Sequence, residues 1–299
     1  MTTTQLPLIS KEQFIARLER AVFERLGFAA GKIGDAEKRW MYQPIIRAER
    51  NRRSQQRAFE LSLKFHAFNQ AALFPQEVEF YSRYNEFYIS NIRNLDALGL
   101  FGVPSEAQLV HHYHLEMPLM AFQDQEPDRS SPDNPALCYL RLFQGKRILI
   151  VTSPADLLAE RATKEIFEAV WSKTGKRWFY PKSVEALSFP YGWAPETMKR
   201  YGDSIRLFEK VAESMAGREF DVALIAAGGL GIPLASQAKQ LGKIGLSLGG
   251  HLQVLFGVIG RRWREREDWV RNYVNPSWID MPDTRASWTV PGADGGAYW

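Results

Sequence analysis

The sequence predicts an α/β fold, and three observations support this prediction. Residues 147–152 form a continuous apolar run, which is typical of strands that are buried on both faces of a parallel sheet. From there to residue 248, strand-like runs alternate with helix-like segments. A glycine-rich turn follows two of the predicted strands, at residues 227–231 and 249–250. Together these features indicate a Rossmann-like parallel sheet with flanking helices.

The second half of the chain has the most regular pattern of elements. Strands separated by helices of ordinary length are joined by right-handed crossovers and pair in parallel. We therefore assign the Rossmann-like core to residues 136–263. Within it we predict strands over residues 147–152, 184–189, 220–226 and 243–248, and helices over residues 154–173, 195–215 and 232–241.

The first half is predicted to be mainly helical. Ser10 and Gln13 have the spacing of a capping box at the start of an amphipathic helix over residues 10–26. Gly27 is expected to end that helix. The elements predicted after it are a short strand over residues 28–33, a second helix through Trp40, Ile45 and Ile46, and helices over residues 76–98 and 106–120.

We expect residues 1–299 to form a single domain with three parts. Residues 1–135 are the mainly helical part, which also contributes the strand end before Asp35. The core follows, and residues 264–299 are a tail rich in Trp, Pro and Gly that wraps over the body. The polar, proline-rich residues 123–134 are the predicted boundary between the two halves.

Charge and composition exclude several classes of protein. The net charge is +4 and the pI is about 9.1, which is compatible with an anionic ligand or an anionic membrane surface. The concentrated basic stripe of a nucleic-acid-binding protein is absent. Cys138 is the only cysteine, which excludes an intramolecular disulfide and a cysteine-based zinc site. Because the sequence shows neither a secretion signal nor a transmembrane run, we expect a cytoplasmic protein.

The two glycine turns indicate a site for a phosphate-bearing ligand. Gly228, Gly229 and Gly231 follow one predicted strand, and Gly249 and Gly250 follow the next. In open α/β sheets, glycines at the carboxyl ends of strands let backbone N–H groups approach a diphosphate. Glycine also serves any tight turn, so packing is the alternative explanation. The Gly-x-Gly-x-x-Gly pattern is absent, which argues against NAD.

Asp35 and Glu37 are the candidate catalytic and metal-binding residues. Two carboxylates at a strand end can share a divalent cation, whose charge neutralises a bound diphosphate. In the alternative interpretation, Asp35 caps a helix and Glu37 interacts favourably with the helix dipole in the first turn. A second Asp-x-Glu triplet, at residues 124–126, lies in a polar loop and is set aside.

At several places the sequence resembles glycosyltransferases of the GT-D fold. The run Lys32-Ile33-Gly34-Asp35-Ala36-Glu37 is similar to the Arg-x-Gly-Asp-Gly-Glu motif that opens these enzymes. About 120 residues of the second half look closer still to a bacterial branch found around surface-polysaccharide genes. The matching runs are Asp221-Val222-Ala223-Leu224-Ile225, Gly231-Ile232-Pro233-Leu234-Ala235, Leu241-Gly242-Lys243, Gly249-Gly250-His251-Leu252-Gln253-Val254-Leu255-Phe256-Gly257 and Gly260-Arg261-Arg262-Trp263.

The resemblance implies a hexosyltransferase that uses a nucleotide-sugar donor, expected to be a UDP-sugar, and a glycan or lipid-linked acceptor. It implies that Asp35 and Glu37 hold Mn²⁺ or Mg²⁺ on the donor diphosphate. The residues implied to bind the nucleotide-sugar are Gly34, Gly228, Gly229, Gly231, Gly249, Gly250, His251, Gln253, Arg262 and Trp263. Two departures put the activity in question, since Ala36 and Ala226-Ala227 stand where the family has glycine-containing sequence.

Several alternatives remain open at this stage. His251 could bind a phosphate or an acceptor hydroxyl, or could cap its loop. The cluster around Arg262 could contact the donor, associate peripherally with the inner membrane face, or form an exposed helical surface. The competing functions are a non-catalytic protein that binds nucleotide-sugars or phosphates, and a scaffold of a polysaccharide assembly. The oligomeric state is left open.

Overall fold

The fold was obtained as a computed structural model, which describes residues 6–49, 60–61, 64–126 and 139–282. In these ranges the chain forms an eight-stranded sheet in which every strand pair is parallel. Helices cover both faces of the sheet, and each face has its own hydrophobic core. The predicted α/β class with a Rossmann-like parallel sheet is therefore confirmed.

The strand order is β1-β4-β3-β2-β8-β7-β5-β6. The pairing of β2 with β8 joins the two halves of the chain at the centre of the sheet: Ala30 is in register with Ala97 of β3 on one side and with Leu246 of β8 on the other. The strands are β1 (Leu8–Ile9), β2 (Phe28–Lys32), β3 (Ala97–Leu100), β4 (Leu119–Ala121), β5 (Arg147–Thr152), β6 (Ser183–Leu187), β7 (Val222–Ala226) and β8 (Ile244–Ser247).

The helices form two layers. One layer comprises α2 (Asp35–Glu49), a π-helical segment (Phe65–Gln70), α3 (Val78–Arg93), α4 (Pro104–His112), α7 (Pro195–Tyr201), α8 (Ser204–Ala216) and α9 (Gly231–Gln240). The other comprises α1 (Lys11–Glu24), α5 (Ala155–Arg161), α6 (Lys164–Val170), α10 (His251–Leu255), α11 (Arg261–Arg264) and α12 (Glu267–Asn272). None of the helices in the described ranges is long and apolar enough to cross a membrane.

The second half matches the sequence prediction in its strands and differs in two helices. The predicted strand over 147–152 has the observed bounds, and the bounds of the other three differ by at most two residues. Each of the long helices predicted over 154–173 and 195–215 is instead a pair of short helices. Gly202, with a φ of +75°, separates α7 from α8, because a backbone in the left-handed region cannot continue a right-handed helix.

The first half differs more from its prediction. Most of its residues in regular elements are helical, as predicted, but it also supplies β1 to β4, which are half of the strands in the sheet. The helix predicted over 76–98 ends at Arg93 and is followed by β3, and the helix predicted over 106–120 ends at His112 and is followed by β4. These strands are only four and three residues long and largely buried. Periodicity cannot distinguish such short apolar runs from parts of a buried helix.

The predicted tail also forms elements of its own. Within residues 264–282, α12 is followed by β10 (Ile279–Asp280), which pairs in parallel with β9 (Val258–Ile259). Trp269 and Trp278 are buried there, and Trp278 packs edge-on against Trp171 at 5.4 Å between ring centroids. Residues 283–299, and residues 127–134 of the predicted boundary, lie outside the described ranges.

Gly245 lets α9 approach the centre of the sheet. A Cβ at this position would lie 2.8 Å from both the Ala235 Cα and the Ala238 Cβ of α9. We therefore expect Gly245→Ala to lower the free energy of unfolding by about 2 kcal/mol or more, as overpacking of a core does. Equilibrium urea denaturation measures this change.

Gly217→Ala is the matched control for Gly245→Ala. A Cβ on Gly217 would have no neighbour closer than 3.8 Å, and its φ of −79° suits any residue. This variant should change the free energy of unfolding by less than about 0.5 kcal/mol. Equal losses in the two variants would contradict the close approach of α9.

Candidate functional site

A cavity of about 600 Å³ opens at the carboxyl edge of the sheet. Its wall contains residues at or just after the carboxyl ends of seven strands, β2 to β8, including Gly34, Phe101, Thr152 and Ser247. Open α/β sheets bind ligands at this edge, because the loops there diverge and leave a crevice. We call it the carboxyl-edge cavity.

Most of the residues singled out from the sequence lie on the wall of this cavity. They are Gly34, Asp35, Glu37, Gly228, Gly249, Gly250, His251, Gln253, Arg262 and Trp263. Gly229 and Gly231 do not line it. The cavity thus brings together residues that are more than two hundred positions apart in the chain.

The glycines of the first turn are explained by packing. A Cβ on Gly228 would lie 2.8 Å from the Ala71 carbonyl oxygen, and one on Gly229 would lie 2.8 Å from the Leu73 side chain. A Cβ on Gly231 would lie 2.5 Å from the Ser247 Oγ. Protein atoms occupy the space beside Gly229 and Gly231, so packing explains both glycines, and their assignment to the ligand site stays a prediction.

The second turn is open to the cavity. Gly249 has a φ of +57°, which favours glycine, and a Cβ there would meet no atom within 4 Å. Gly250 follows it on the cavity wall. Of the two turns, this one leaves its backbone accessible to a ligand.

Asp35 is held by two cations of its own helix. Its carboxylate lies 3.2 Å from Lys38 Nζ and accepts a hydrogen bond of 2.7 Å from Arg39 Nε. Burial raises the pKa of Asp35, but the hydrogen bonds from Arg39 and Lys38 outweigh it and keep the pKa below its ordinary value. These contacts therefore stabilise the fold at neutral pH, and acid that protonates Asp35 removes that contribution.

Glu37 places a negative charge beside buried phenols. Its side chain folds back on Gly34, where a Cβ would overlap a carboxylate oxygen of Glu37. Burial, and next the charge of Glu37, raise the pKa of Tyr84 and Tyr88 well above the ordinary value. Glu37 therefore lies on the cavity wall, and its negative charge acts on the two buried phenols.

Asp35 and Glu37 fit a shared metal site poorly. They are the first and third residues of α2, and side chains two positions apart on a helix point about 200° apart. In the described ranges, no group of three His, Cys, Asp or Glu side chains is arranged to hold a metal ion. A divalent cation would have to displace Lys38 and Arg39 from Asp35. The two carboxylates are therefore not arranged as a shared site for a divalent cation.

A buried network of three polar side chains forms part of the cavity wall. Lys32 Nζ donates to Glu126 Oε1 at 3.0 Å, and both side chains are at most 5% exposed. His251 bridges the pair, with Nδ1 3.0 Å from Lys32 Nζ and Nε2 2.9 Å from Glu126 Oε1. With an ammonium at Nδ1 and a carboxylate at Nε2, the neutral imidazole carries its proton on Nε2. His251 is thus fixed in orientation by its neighbours.

Sequence reasoning missed two members of this network. Glu126 belongs to the Asp-x-Glu triplet that was set aside as part of a polar loop, yet it is 3% exposed. It lies five residues after the end of β4, a strand that the sequence did not reveal. The resemblance gave Lys32 no role of its own. Its position as the last residue of β2 was the available signal, because side chains at strand ends face the ligand crevice.

Gln253 presents an amide to the cavity. Its side chain is 6% exposed, and its Nε2 is buried without a hydrogen-bond partner. A buried amide that makes no hydrogen bond costs about 1–3 kcal/mol. A ligand group that hydrogen-bonds to Gln253 would recover that cost.

Cationic and aromatic side chains form the rest of the wall. Trp263 is buried and packs edge-on against His251, while the guanidinium of Arg262 lies 5.7 Å from the centroid of the Trp263 ring. Arg266, which belongs to the arginine cluster around Arg262, also lines the cavity. On another part of the wall, Tyr191 and Trp193 stack with centroids 6.1 Å apart and an angle of 20° between the rings.

We expect Lys32→Met to lower the free energy of unfolding by about 3 kcal/mol, because it leaves the buried Glu126 carboxylate without its ammonium partner. The double variant Lys32→Met/Glu126→Gln should be more stable than Lys32→Met, since no isolated charge remains. Urea denaturation of the variants measures their free energies of unfolding and so the coupling between Lys32 and Glu126.

Lys239→Met is the control for this charge pair. Lys239 lies 2.8 Å from Asp96 Oδ1 in a pair that is much more exposed than Lys32–Glu126, so its loss should cost about 1 kcal/mol or less. Equal effects of Lys32→Met and Lys239→Met, or additive effects of the Lys32 and Glu126 substitutions, would contradict the buried network.

No protein-family model, no curated protein and no solved structure matches this chain. The likeness to the GT-D superfamily therefore rests on the residue runs quoted from the sequence, and the α/β class rests on the parallel sheet and its two helical layers. The chemistry of the carboxyl-edge cavity remains the basis for assigning a function.

Proposed function

We propose that the protein is a glycosyltransferase that moves a hexosyl group from a nucleotide-sugar, expected to be a UDP-sugar, to a glycan or glycolipid acceptor in surface polysaccharide synthesis. One observation carries this proposal. The carboxyl-edge cavity combines the open turn at Gly249–Gly250, the arginines Arg262 and Arg266, and the carboxylate of Glu37. A diphosphate, a sugar and an acceptor hydroxyl need these three kinds of group.

The donor diphosphate is bound by cations and backbone. Arg262 and Arg266 lie on the same wall as the Gly249–Gly250 turn. Guanidinium groups bind phosphate oxygens through paired, charge-assisted hydrogen bonds. These groups can bind the diphosphate without a metal.

The sugar and the acceptor occupy the polar and aromatic wall. The Gln253 amide supplies a hydrogen bond to a hydroxyl, and the Tyr191 ring supplies an apolar face for a pyranose. Burial raises the pKa of Tyr191 to about 12, so its phenol stays neutral and can donate a hydrogen bond at neutral pH. Pockets of this kind pair an apolar surface with a few placed polar groups.

Glu37 acts as the general base in this proposal. The acceptor hydroxyl transfers its proton to the Glu37 carboxylate while its oxygen forms a bond to the anomeric carbon. The bond from that carbon to the diphosphate oxygen breaks at the same time, and the electron pair leaves with the nucleoside diphosphate. Arg262 and Arg266 stabilise the charge that develops on this leaving group.

We expect the wild-type protein to bind UDP in the presence of EDTA, because the guanidinium groups of Arg262 and Arg266 bind the diphosphate without a metal. Arg262→Gln and Arg266→Gln should each weaken binding about tenfold or more, since a hydrogen bond to a charged group contributes about 1.5–3 kcal/mol. Isothermal titration calorimetry measures both effects.

Arg264→Gln is the control for donor binding. Arg264 belongs to the same helix, α11, but pairs with Asp280 and does not line the cavity. It should bind UDP like the wild type. If no nucleoside diphosphate binds, or if Arg264→Gln weakens binding as strongly as Arg262→Gln, the donor site is wrongly assigned.

We expect Glu37→Gln to lower kcat for UDP release from a UDP-hexose by about 100-fold or more, with little change in UDP affinity, because it removes only the base. Asp35→Asn should retain activity, since Asp35 pairs with Lys38 and Arg39. A panel of UDP-hexoses and glycan acceptors, assayed with and without Mn²⁺, provides the measurement.

The same assay separates the competing interpretations. Activity that requires Mn²⁺ and is lost in Asp35→Asn would restore the metal-binding role implied by the family resemblance. A wild-type protein that binds UDP but turns over none of the UDP-hexoses would instead be a nucleotide-sugar-binding protein without catalysis. Ala36, which replaces the family's glycine beside both carboxylates, is the observation that favours this second function.

A further inference from the structure

A second cavity, of about 460 Å³, lies at the opposite edge of the sheet. Its wall is formed by the end of α1 and by residues at the amino ends of β5, β7 and β8. The side chains that matter here are Arg25, Leu26, Lys146, Arg147, Asp221 and Lys243. We call it the amino-edge cavity, and it shares no residue with the carboxyl-edge cavity.

The amino-edge cavity carries an excess of positive charge. Arg147 is engaged by acidic neighbours, at 3.1 Å from Asp221 Oδ1 and 2.5 Å from Glu219 Oε2. Arg25 and Lys146 take part in no ion pair within the described ranges, and the charge of Lys243 acts on Asp221. Lys146 and Lys243 are also half-buried. Cations that are partly removed from water and outnumber the acidic groups beside them favour an anion in the space between them.

Exposed apolar side chains surround this charge. Phe23, in the last turn of α1, is 87% exposed, and Leu26 is 49% exposed. Tyr180 is 53% exposed, and its carbonyl accepts a hydrogen bond of 2.9 Å from Gly145 N at the cavity wall. Protruding aromatic and aliphatic side chains next to lysine and arginine are the composition of protein surfaces that lie in the headgroup region of anionic membranes.

We propose that this end of the molecule docks on an anionic lipid bilayer. A lipid phosphate occupies the amino-edge cavity beside Lys146 and Lys243, and Phe23 and Leu26 enter the boundary between headgroups and acyl chains. A second copy of the chain is a poorer occupant, because it would bring like charges together. A soluble phosphate would leave the apolar side chains unexplained.

Docking at this end orients the rest of the protein. The carboxyl-edge cavity, at the other edge of the parallel sheet, then opens away from the bilayer. A substrate reaches it from the aqueous side. The docking inference is independent of the proposed glycosyl transfer, since bilayer binding requires neither donor nor turnover.

The test is flotation of the full chain with vesicles of phosphatidylcholine alone or mixed with phosphatidylglycerol. We expect binding only to the mixed vesicles, decreasing with salt. Lys146→Gln and Lys243→Gln should each weaken binding about fivefold, as expected for one cation near an anionic surface. Phe23→Ser should weaken it about fivefold or more by removing buried apolar area.

Two control variants remove the same kinds of side chain elsewhere, one a lysine and the other a phenylalanine. Lys199→Gln and Phe65→Ser alter exposed side chains that do not line the amino-edge cavity. Both should bind mixed vesicles like the wild type. If the controls lose binding as strongly, the proposal is overturned, because binding would then not depend on the residues of the amino-edge cavity.

Two further outcomes would also overturn it. The first is stabilisation by inorganic phosphate that is lost in Lys146→Gln, in a protein that binds no vesicles, which would show a site for soluble anions. The second is a change in oligomeric state on Phe23→Ser, seen by light scattering, again without vesicle binding. That result would assign the surface to self-association.

Discussion

The parallel pairing of β2 with β8 is the constraint on which the rest of the structure depends. It joins a strand from the first half of the chain to one from the second, with Ala30 opposite Leu246. The carboxyl ends of the two strands therefore meet, and Lys32 at the end of one comes to lie 3.0 Å from His251 in the turn after the other. Without this pairing the two halves would carry separate parts of the site.

Glu126 makes that meeting point stable. A lysine that is 5% exposed requires a counterion, because burying an isolated charge costs far more than a hydrogen bond returns. Glu126 supplies the charge and also binds His251, so three chain segments are fixed against one another. The cavity consequently has a wall of oriented polar groups before any ligand arrives, which lowers the reorganisation that binding requires.

The two edges of the sheet have different chemistry. At the carboxyl edge, diverging loops place arginines, carboxylates and aromatic rings around one cavity. At the amino edge, lysines and exposed apolar side chains lie at a smaller one. Because all strands run in parallel, every crossover contributes one loop to each edge. In a parallel sheet, a site at the carboxyl edge and a docking surface at the amino edge are therefore one strand length apart.

The sequence by itself determined the fold class, the strand over residues 147–152, the capped start of α1 and the positions of the glycine turns, because these features depend on local patterns of apolar, capping and turn residues. Only the tertiary structure revealed β3 and β4, whose short buried runs carry no periodicity of their own. It also decided that Gly229 and Gly231 serve packing, since that depends on Leu73 and Ser247, which are distant in sequence. The pairing of Lys32 with Glu126 spans 94 residues and follows from the strand order. Local sequence patterns do not predict this contact, because Lys32 and Glu126 become neighbours only when the sheet has formed.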